Sequence, residues 1–133
     1  MNKKDKLIKR LSYDRMFGIL TRNALEVEVE KSKNLFNCIW IDINNFGLLN
    51  SIIGYDKAND LIKSTFEAFE FKSECIIGRW FSGDEILIVH DRPELIIYAL
   101  KEVFRNKGLS FKSHIYYNID AFEELVKKLS QFK

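Results

Sequence analysis

Long apolar runs are missing from this 133-residue chain. No stretch approaches the roughly 20 residues a bilayer-crossing helix needs, and the first residues lack a secretory-signal pattern. Cysteine is scarce: Cys38 and Cys75 are the only two, both in apolar runs and without metal-ligand spacing. Reduced, buried thiols in a soluble cytoplasmic protein are therefore expected, not a disulfide. Excess charge of either sign is also absent, with 21 Lys and Arg against 19 Asp and Glu. A formal charge of +2 exerts no general pull toward a membrane or nucleic acid, so neither is an expected partner. One proline and six glycines leave no linker or low-complexity tract, and no internal repeat is visible. What remains is ordinary globular composition, 47% hydrophobic and 30% charged, in one domain over residues 1–133. The basic start (Lys3, Lys4, Lys6, Lys9, Arg10) reads as the solvated face of a short helix, with attraction to a polyanion as the alternative.

Periodicity then orders the elements. A short amphipathic helix is predicted over Lys3 to Leu11, and a second over Arg22 to Lys31 after a bend near Gly18. The first strand, Leu35 to Ile43, runs into the turn-rich Asn44-Asn45-Phe46-Gly47, and a helical turn is expected over Leu49 to Ile53. Beyond Gly54 a helix opened by Asp56 repeats Ala58, Leu61, Ile62, Thr65, Phe66 and Phe69 on one face. Two apolar runs, Cys75 to Phe81 and Ile86 to Val89, read as a hairpin. Asp91 and Pro93 start a helix with Leu95, Ala99, Leu100, Val103 and Phe104 inward. Leu109 to Tyr117 is a fourth strand, and Asp120 with Glu123 opens a last helix whose inner face is Phe122, Leu125, Val126 and Leu129. The order βαββαβ is the ferredoxin-like α+β arrangement, an antiparallel sheet with helices on one face and further helices at both termini. Strands one and three are expected as central neighbours, antiparallel to strand two.

The hairpin tip is the most informative feature. Ser82-Gly83-Asp84-Glu85 places two adjacent carboxylates where like-charge repulsion offers a plain turn no gain. Asp42 ends the first strand, and the topology brings it toward the same sheet edge. Strand-borne acids that meet there suit a hard divalent cation.

These residues carry a resemblance. Asp14-Arg-Met-Phe-Gly18-Ile-Leu-Thr-Arg22 resembles the motif Asp-x-Leu-Thr-Gly-Leu-x-Asn-Arg. The stretch from Asp42 to Asp60 resembles Asp-x-Asp-x-Phe-Lys-x-x-Asn-Asp-x-x-Gly-His-x-x-Gly-Asp, retaining Asp42, Phe46, Asn50, Gly54 and Asp60. Ser82-Gly83-Asp84-Glu85-Ile86 stands for Gly-Gly-Asp-Glu-Phe. Residues 14 to 90 thus resemble the GGDEF (diguanylate cyclase-like) nucleotide cyclases, whose palm is shared with CRISPR polymerases. The resemblance implies a nucleotidyltransferase that condenses nucleoside triphosphates, GTP or ATP, into a cyclic dinucleotide or oligonucleotide and releases pyrophosphate. It assigns Mg²⁺ or Mn²⁺ to Asp42, Asp84 and the Ile43 carbonyl, and makes Glu85 a supporting carboxylate and candidate acceptor of the nucleophile's proton. Phosphates would lie against Asn45, Phe46, Gly47 and Gly83, and the base against Asn50 and Asp60. Ring closure implies a homodimer or higher oligomer.

The chain also departs from the pattern. Asn44 and Gly47 replace an acid and a lysine, Tyr55 replaces a histidine, and Lys72-Ser73-Glu74 replaces an Arg-x-x-Asp effector site. The sequence closes at Lys133, about where the family's last helix carries a phosphate-binding lysine, and a form without a sensory domain is expected. A stand-alone form resembling the minimal CRISPR polymerases, with a role in antiviral signalling, is therefore expected. The alternative is a catalytically degenerate domain that binds a nucleotide or partner. An RNA-binding module of the same topology would stack bases on strand aromatics, but its Gly-Phe motif is absent and acids sit where phosphates would approach.

Overall fold

Runs of β-branched and aromatic residues alternate with segments of helical period, and the chain folds in that order. The computed structural model describes residues 2–4, 6, 12–32, 34–81 and 83–132. Ser82, and most of the helix expected over Lys3 to Leu11, lie outside the described residues. The elements are α1 (Arg22–Lys31), β1 (Phe36–Ile43), α2 (Phe46–Ile53), α3 (Tyr55–Glu67), a 3₁₀ turn (Lys72–Glu74), β2 (Ile76–Arg79), β3 (Glu85–Val89), α4 (Pro93–Asn106), β4 (Phe111–Ile119) and α5 (Phe122–Phe132). Among the described residues no helix is long and apolar enough to cross a membrane.

Local chemistry sets the boundaries. The Thr21 hydroxyl accepts from the Ala24 amide at 3.2 Å and starts α1. Gly54, at φ +90°, both closes α2 and opens α3, a conformation that favours glycine. Pro93 occupies the first turn of α4, where its missing N–H costs nothing. At α5 it is Glu124, not Glu123, that reaches back, accepting from the Asp120 amide at 3.1 Å.

The sheet order is β2-β3-β1-β4, with every neighbouring pair antiparallel. Strands one and three are central neighbours, as expected. Only β3 is antiparallel to β2, however; β1 also runs against β3 and so shares the direction of β2. The end of β1 therefore meets the start of β3, at the hairpin.

Helices cover both faces of the sheet, not one. Ile39, Ile41, Ile43, Ile86 and Ile88 pack with Ala58, Ile62 and Phe66 of α3 and Ile96, Leu100 and Phe104 of α4. Cys38, Trp40 and Leu87 pack on the opposite face with Leu25 and Val29 of α1 and Phe122, Leu125 and Leu129 of α5. The near-continuous apolar run of β1 is the sequence mark of a strand buried on both faces. On α4 the inward position expected of Leu95 falls to Ile96, and Leu95 is exposed. Cys38 is buried and Cys75 half-buried, and both are free thiols. Burial, the largest cause, pushes them to about 12 and about 11, leaving them protonated and inert at neutral pH.

The outer edge of β2 is not left bare. Leu20 accepts from the Arg79 amide at 2.9 Å and donates to the Ile77 carbonyl at 3.0 Å, after a bend at Gly18 with φ +70°. Helix α1 then lies so close to β2 that a Cβ at Gly78 would meet the Leu25 Cβ at 2.7 Å. Gly78→Ala is accordingly expected to cost about 1–3 kcal/mol, read as a lowered Tm in thermal denaturation. Gly47→Ala, whose added methyl would meet nothing within 4 Å, is the near-neutral comparison.

Candidate active site at the acidic sheet edge

The antiparallel register does the assembling. Asp42 of β1 lies directly opposite Glu85 of β3, and the Ile43 amide donates to the Asp84 carbonyl at 3.2 Å. Asp42, Ile43, Asp84 and Glu85 thus meet at one sheet edge. The Asp42 carboxyl feels the charge of Asp84 across this edge. Its pKa is raised above the ordinary carboxylate value, first by burial and then by the charges of Asp84 and Glu85. Lys112, paired with Asp42 across β4, opposes that shift.

Glu85 differs from its neighbours in being only 4% exposed. The Trp40 indole N–H donates to its Oε1 at 2.9 Å. It is therefore a fixed carboxylate behind the Asp42–Asp84 pair. Asn44, standing where the motif has a second acid, is turned elsewhere: its Nδ2 donates to Ser110 Oγ at 2.9 Å. Among the described residues, no group of three or more His, Cys, Asp or Glu side chains is placed to hold a metal ion. The site offers two neighbouring carboxylates. Mg²⁺ is commonly held that way, with water and substrate phosphates completing its shell.

A raised carboxyl pKa has a stability consequence. Native protein binds more protons than unfolded chain between the ordinary value of 3.8 and the raised one, so this group's stabilisation is lost as pH climbs through that window. At neutral pH Asp42 is thus a net cost to the metal-free fold. Asp42→Asn is expected to raise the neutral-pH Tm and to flatten the decline that sets in as pH climbs above the ordinary carboxylate value. Differential scanning calorimetry across that range checks it.

The hairpin loop is tied down from the side. Arg79 Nη1 binds Asp14 Oδ1 at 2.9 Å, its Nη2 donates to the Gly83 carbonyl, and its guanidinium lies 4.1 Å from the Phe17 ring centroid. Asp14 in turn accepts from the Met16 and Phe17 amides at 3.0 and 2.7 Å. Asp14 of the opening motif therefore fixes the loop that carries Asp84. Arg22 lies within 4.3 to 5.5 Å of the ring centroids of Phe81, Phe122 and Trp80. Sequence reading passes over Arg79; a lone arginine in an apolar strand carries no local signal of a distant aspartate.

Two residues past β1, Asn45 takes the left-handed conformation (φ 57°, ψ 28°) and opens α2 without a side-chain cap. The first-turn amides that follow have no intrahelical acceptor. Phe46 is buried against Phe17, whereas Asn45 and Gly47 are exposed, as is Gly83 in the hairpin. Asn50 and Asn59 each bury an Oδ1 that has no hydrogen-bond partner. Asp60 is exposed, because the α3 period puts Ala58, Asn59 and Ile62 inside and turns Asp60 to solvent. Counted residue by residue from Asp42, the motif's closing acid also falls on Asn59. The buried polar residue at this point of α3 is therefore Asn59, and Asp60 lies on the surface one residue further on. Careful counting of the motif is the signal that finds it.

No protein-family model matches the chain, and no curated protein matches its sequence. Solved structures do. The chain superposes on the diguanylate cyclase SiaD of Pseudomonas aeruginosa, solved with its activator SiaC, at TM-score 0.73 and 14% identity, covering 97% of this chain and 60% of that one. It matches a sensory box/GGDEF family protein of Caulobacter crescentus at TM-score 0.65 and 20% identity, covering 90% and 94%. A diguanylate cyclase/phosphodiesterase of Caldicellulosiruptor saccharolyticus matches at TM-score 0.64 and 18% identity, covering 94% and 86%. The fold is that of a GGDEF domain, a diguanylate cyclase-like α+β palm. The chain spans 60% of the length of SiaD.

Proposed function

We propose that this chain is a metal-dependent nucleotidyltransferase that joins nucleoside triphosphates into a cyclic dinucleotide or oligonucleotide. The observation that carries the reading is the meeting of Asp42 and Asp84 at one sheet edge, where Asp42 pairs with Glu85 and the Ile43 amide donates to the Asp84 carbonyl at 3.2 Å. Like charges held together at a cost are what a cation site requires. Asp42 and Asp84, with the Ile43 carbonyl, would hold Mg²⁺ or Mn²⁺. When bound, such an ion neutralises triphosphate charge and favours ionisation of an attacking hydroxyl. In the reaction a ribose hydroxyl gives up its proton to water, its oxygen bonds to the α-phosphorus of a second nucleotide, and the bond to the β-phosphate oxygen breaks to release pyrophosphate.

The chain's own residues position the reactants. The amides of Asn45, Phe46 and Gly47 at the α2 N-terminus face anions favourably and would take the phosphates, beside the Gly83 turn. Glu85, buried and bonded to Trp40, supports the acidic pair and is too enclosed to shuttle protons freely. Asn50 and Asn59 would read the base through their unpartnered amide oxygens. A buried acceptor without a donor costs about 1–3 kcal/mol, which a base amine would remove. A carboxamide pairs well with adenine, whose edge offers both a donor and an acceptor, so ATP is the favoured substrate over GTP. Two nucleotides must meet for ring closure, which calls for a homodimer. A role for the product in antiviral signalling rests on the resemblance alone.

A second reading has an observation behind it. Asn44 is tied to Ser110 where the motif has an acid, and a third metal-holding side chain is lacking among the described residues. That favours a degenerate domain that binds a nucleotide without turnover. Incubation with Mn²⁺ or Mg²⁺ and each triphosphate, followed by mass spectrometry, separates the two. A cyclic product with pyrophosphate supports catalysis. Nucleotide binding by calorimetry with no product from any mixture supports the degenerate domain.

A further inference from the structure

Glu85 is the one carboxylate among the buried polar side chains of the described residues, whose other members are Asn59 and Thr65. A buried carboxylate is costly unless something hydrogen-bonds it. The Trp40 indole N–H donates to it, at 2.9 Å from Oε1. Trp40 is itself only 4% exposed and lies opposite Leu87 in the β1–β3 register, one diagonal step from Glu85. Trp40 and Asp42 stand two residues apart on one strand, so their side chains share a face and flank Glu85. On its other side Trp40 faces His114 of β4, with ring centroids 6.0 Å apart. An indole has one donor and no acceptor, and packing leaves this one little freedom to turn.

We propose that Trp40 is a positioning residue of the acidic site: by holding Glu85 behind the Asp42–Asp84 pair, it fixes a negative charge that strengthens divalent-cation binding there. The inference rests on the cation reading above, but names a residue that the motifs do not include. The logic is that of an outer-shell partner. Groups that orient the charges around a metal are typically worth about 10- to 100-fold in its affinity. Trp40→Phe keeps most of the ring and deletes the N–H. Glu85→Gln keeps an oxygen for the indole and deletes the charge.

The test is Mn²⁺ binding to the full chain without nucleotide, followed by the electron paramagnetic resonance signal of free Mn²⁺. Each single variant is expected to bind Mn²⁺ about 10-fold or more weakly. The double variant should bind no more weakly than the worse single, because both changes act through one carboxylate. A merely structural role for Trp40 would lower Tm while leaving Mn²⁺ affinity alone. Unchanged or tighter binding in Trp40→Phe, or losses that simply add in the double variant, would overturn the proposal. Should Trp40→Phe fail to fold, the Glu85→Gln result still decides: wild-type affinity there removes the charge that Trp40 is said to hold. A wild-type chain that takes up no Mn²⁺ at millimolar concentration would sink the cation reading itself, and this inference with it.

Discussion

Asp84→Asn is expected to reduce pyrophosphate release by about a thousandfold or more, with the fold intact. Where charge neutralisation and positioning supply most of the rate, losing one such group costs on the order of 10²–10³, and a shared ion adds to that. The geometry also predicts which property should not suffer. Asp84 sits in the turn between β2 and β3, and its carbonyl, not its side chain, receives the Ile43 amide at 3.2 Å. The asparagine keeps that backbone bond and relieves the repulsion on Asp42. Tm in the absence of metal should therefore hold or rise while activity collapses. Stability gained as activity is lost is the mark of a functional site held under electrostatic strain. Activity within about threefold of wild type, under saturating Mn²⁺ and nucleotide, would show that Asp84 is not part of the machinery.

Much of this architecture could be read before any coordinates. The bounds of α1 match the expected Arg22 to Lys31, and the order of strands and helices holds from there to α5. Period and punctuation carry that information locally. The second helical layer was not legible. It depends on α1 and α5 both turning toward Cys38, Trp40 and Leu87, a long-range choice. Its trace was present in β1, where apolar residues run on without alternation, but such a run fits several arrangements. The acidic convergence was legible because antiparallel pairing of β1 with β3 leaves Asp42 and the hairpin no other place to meet. What lay beyond reach were contacts across distant register: Trp40 on Glu85, Arg79 on Asp14, Lys112 beside Asp42. None leaves a periodic signature, because each joins residues from elements far apart in sequence.

Asn59 is where a single atom type is expected to set base choice. The motif's closing position is an acid, and a carboxylate only accepts hydrogen bonds, which suits the two donors on guanine's pairing edge. An amide gives and takes, matching adenine's amine and ring nitrogen. Asn59 and Asn50 each hold an unpartnered, buried oxygen on consecutive helices, so a local opening of α2 and α3 that uncovered them would let both accept from such an amine. Wild-type protein should therefore use ATP in preference to GTP. Asn59→Asp should move the ratio of kcat/KM toward GTP by about 10- to 100-fold, the discrimination expected of one well-placed bidentate pair. The substitution is nearly isosteric, but it buries a charge on α3, so some loss of Tm is expected in the unliganded protein. GTP should restore that loss more than ATP does, since a ligand stabilises in proportion to its affinity for the folded state. Asp60→Asn is the companion variant: Asp60 is exposed one residue further along α3, and its change should leave the ratio alone. If the two variants exchange behaviour, the base lies against the outer surface of α3, and Asn50 and Asn59 are simply polar groups buried in the core.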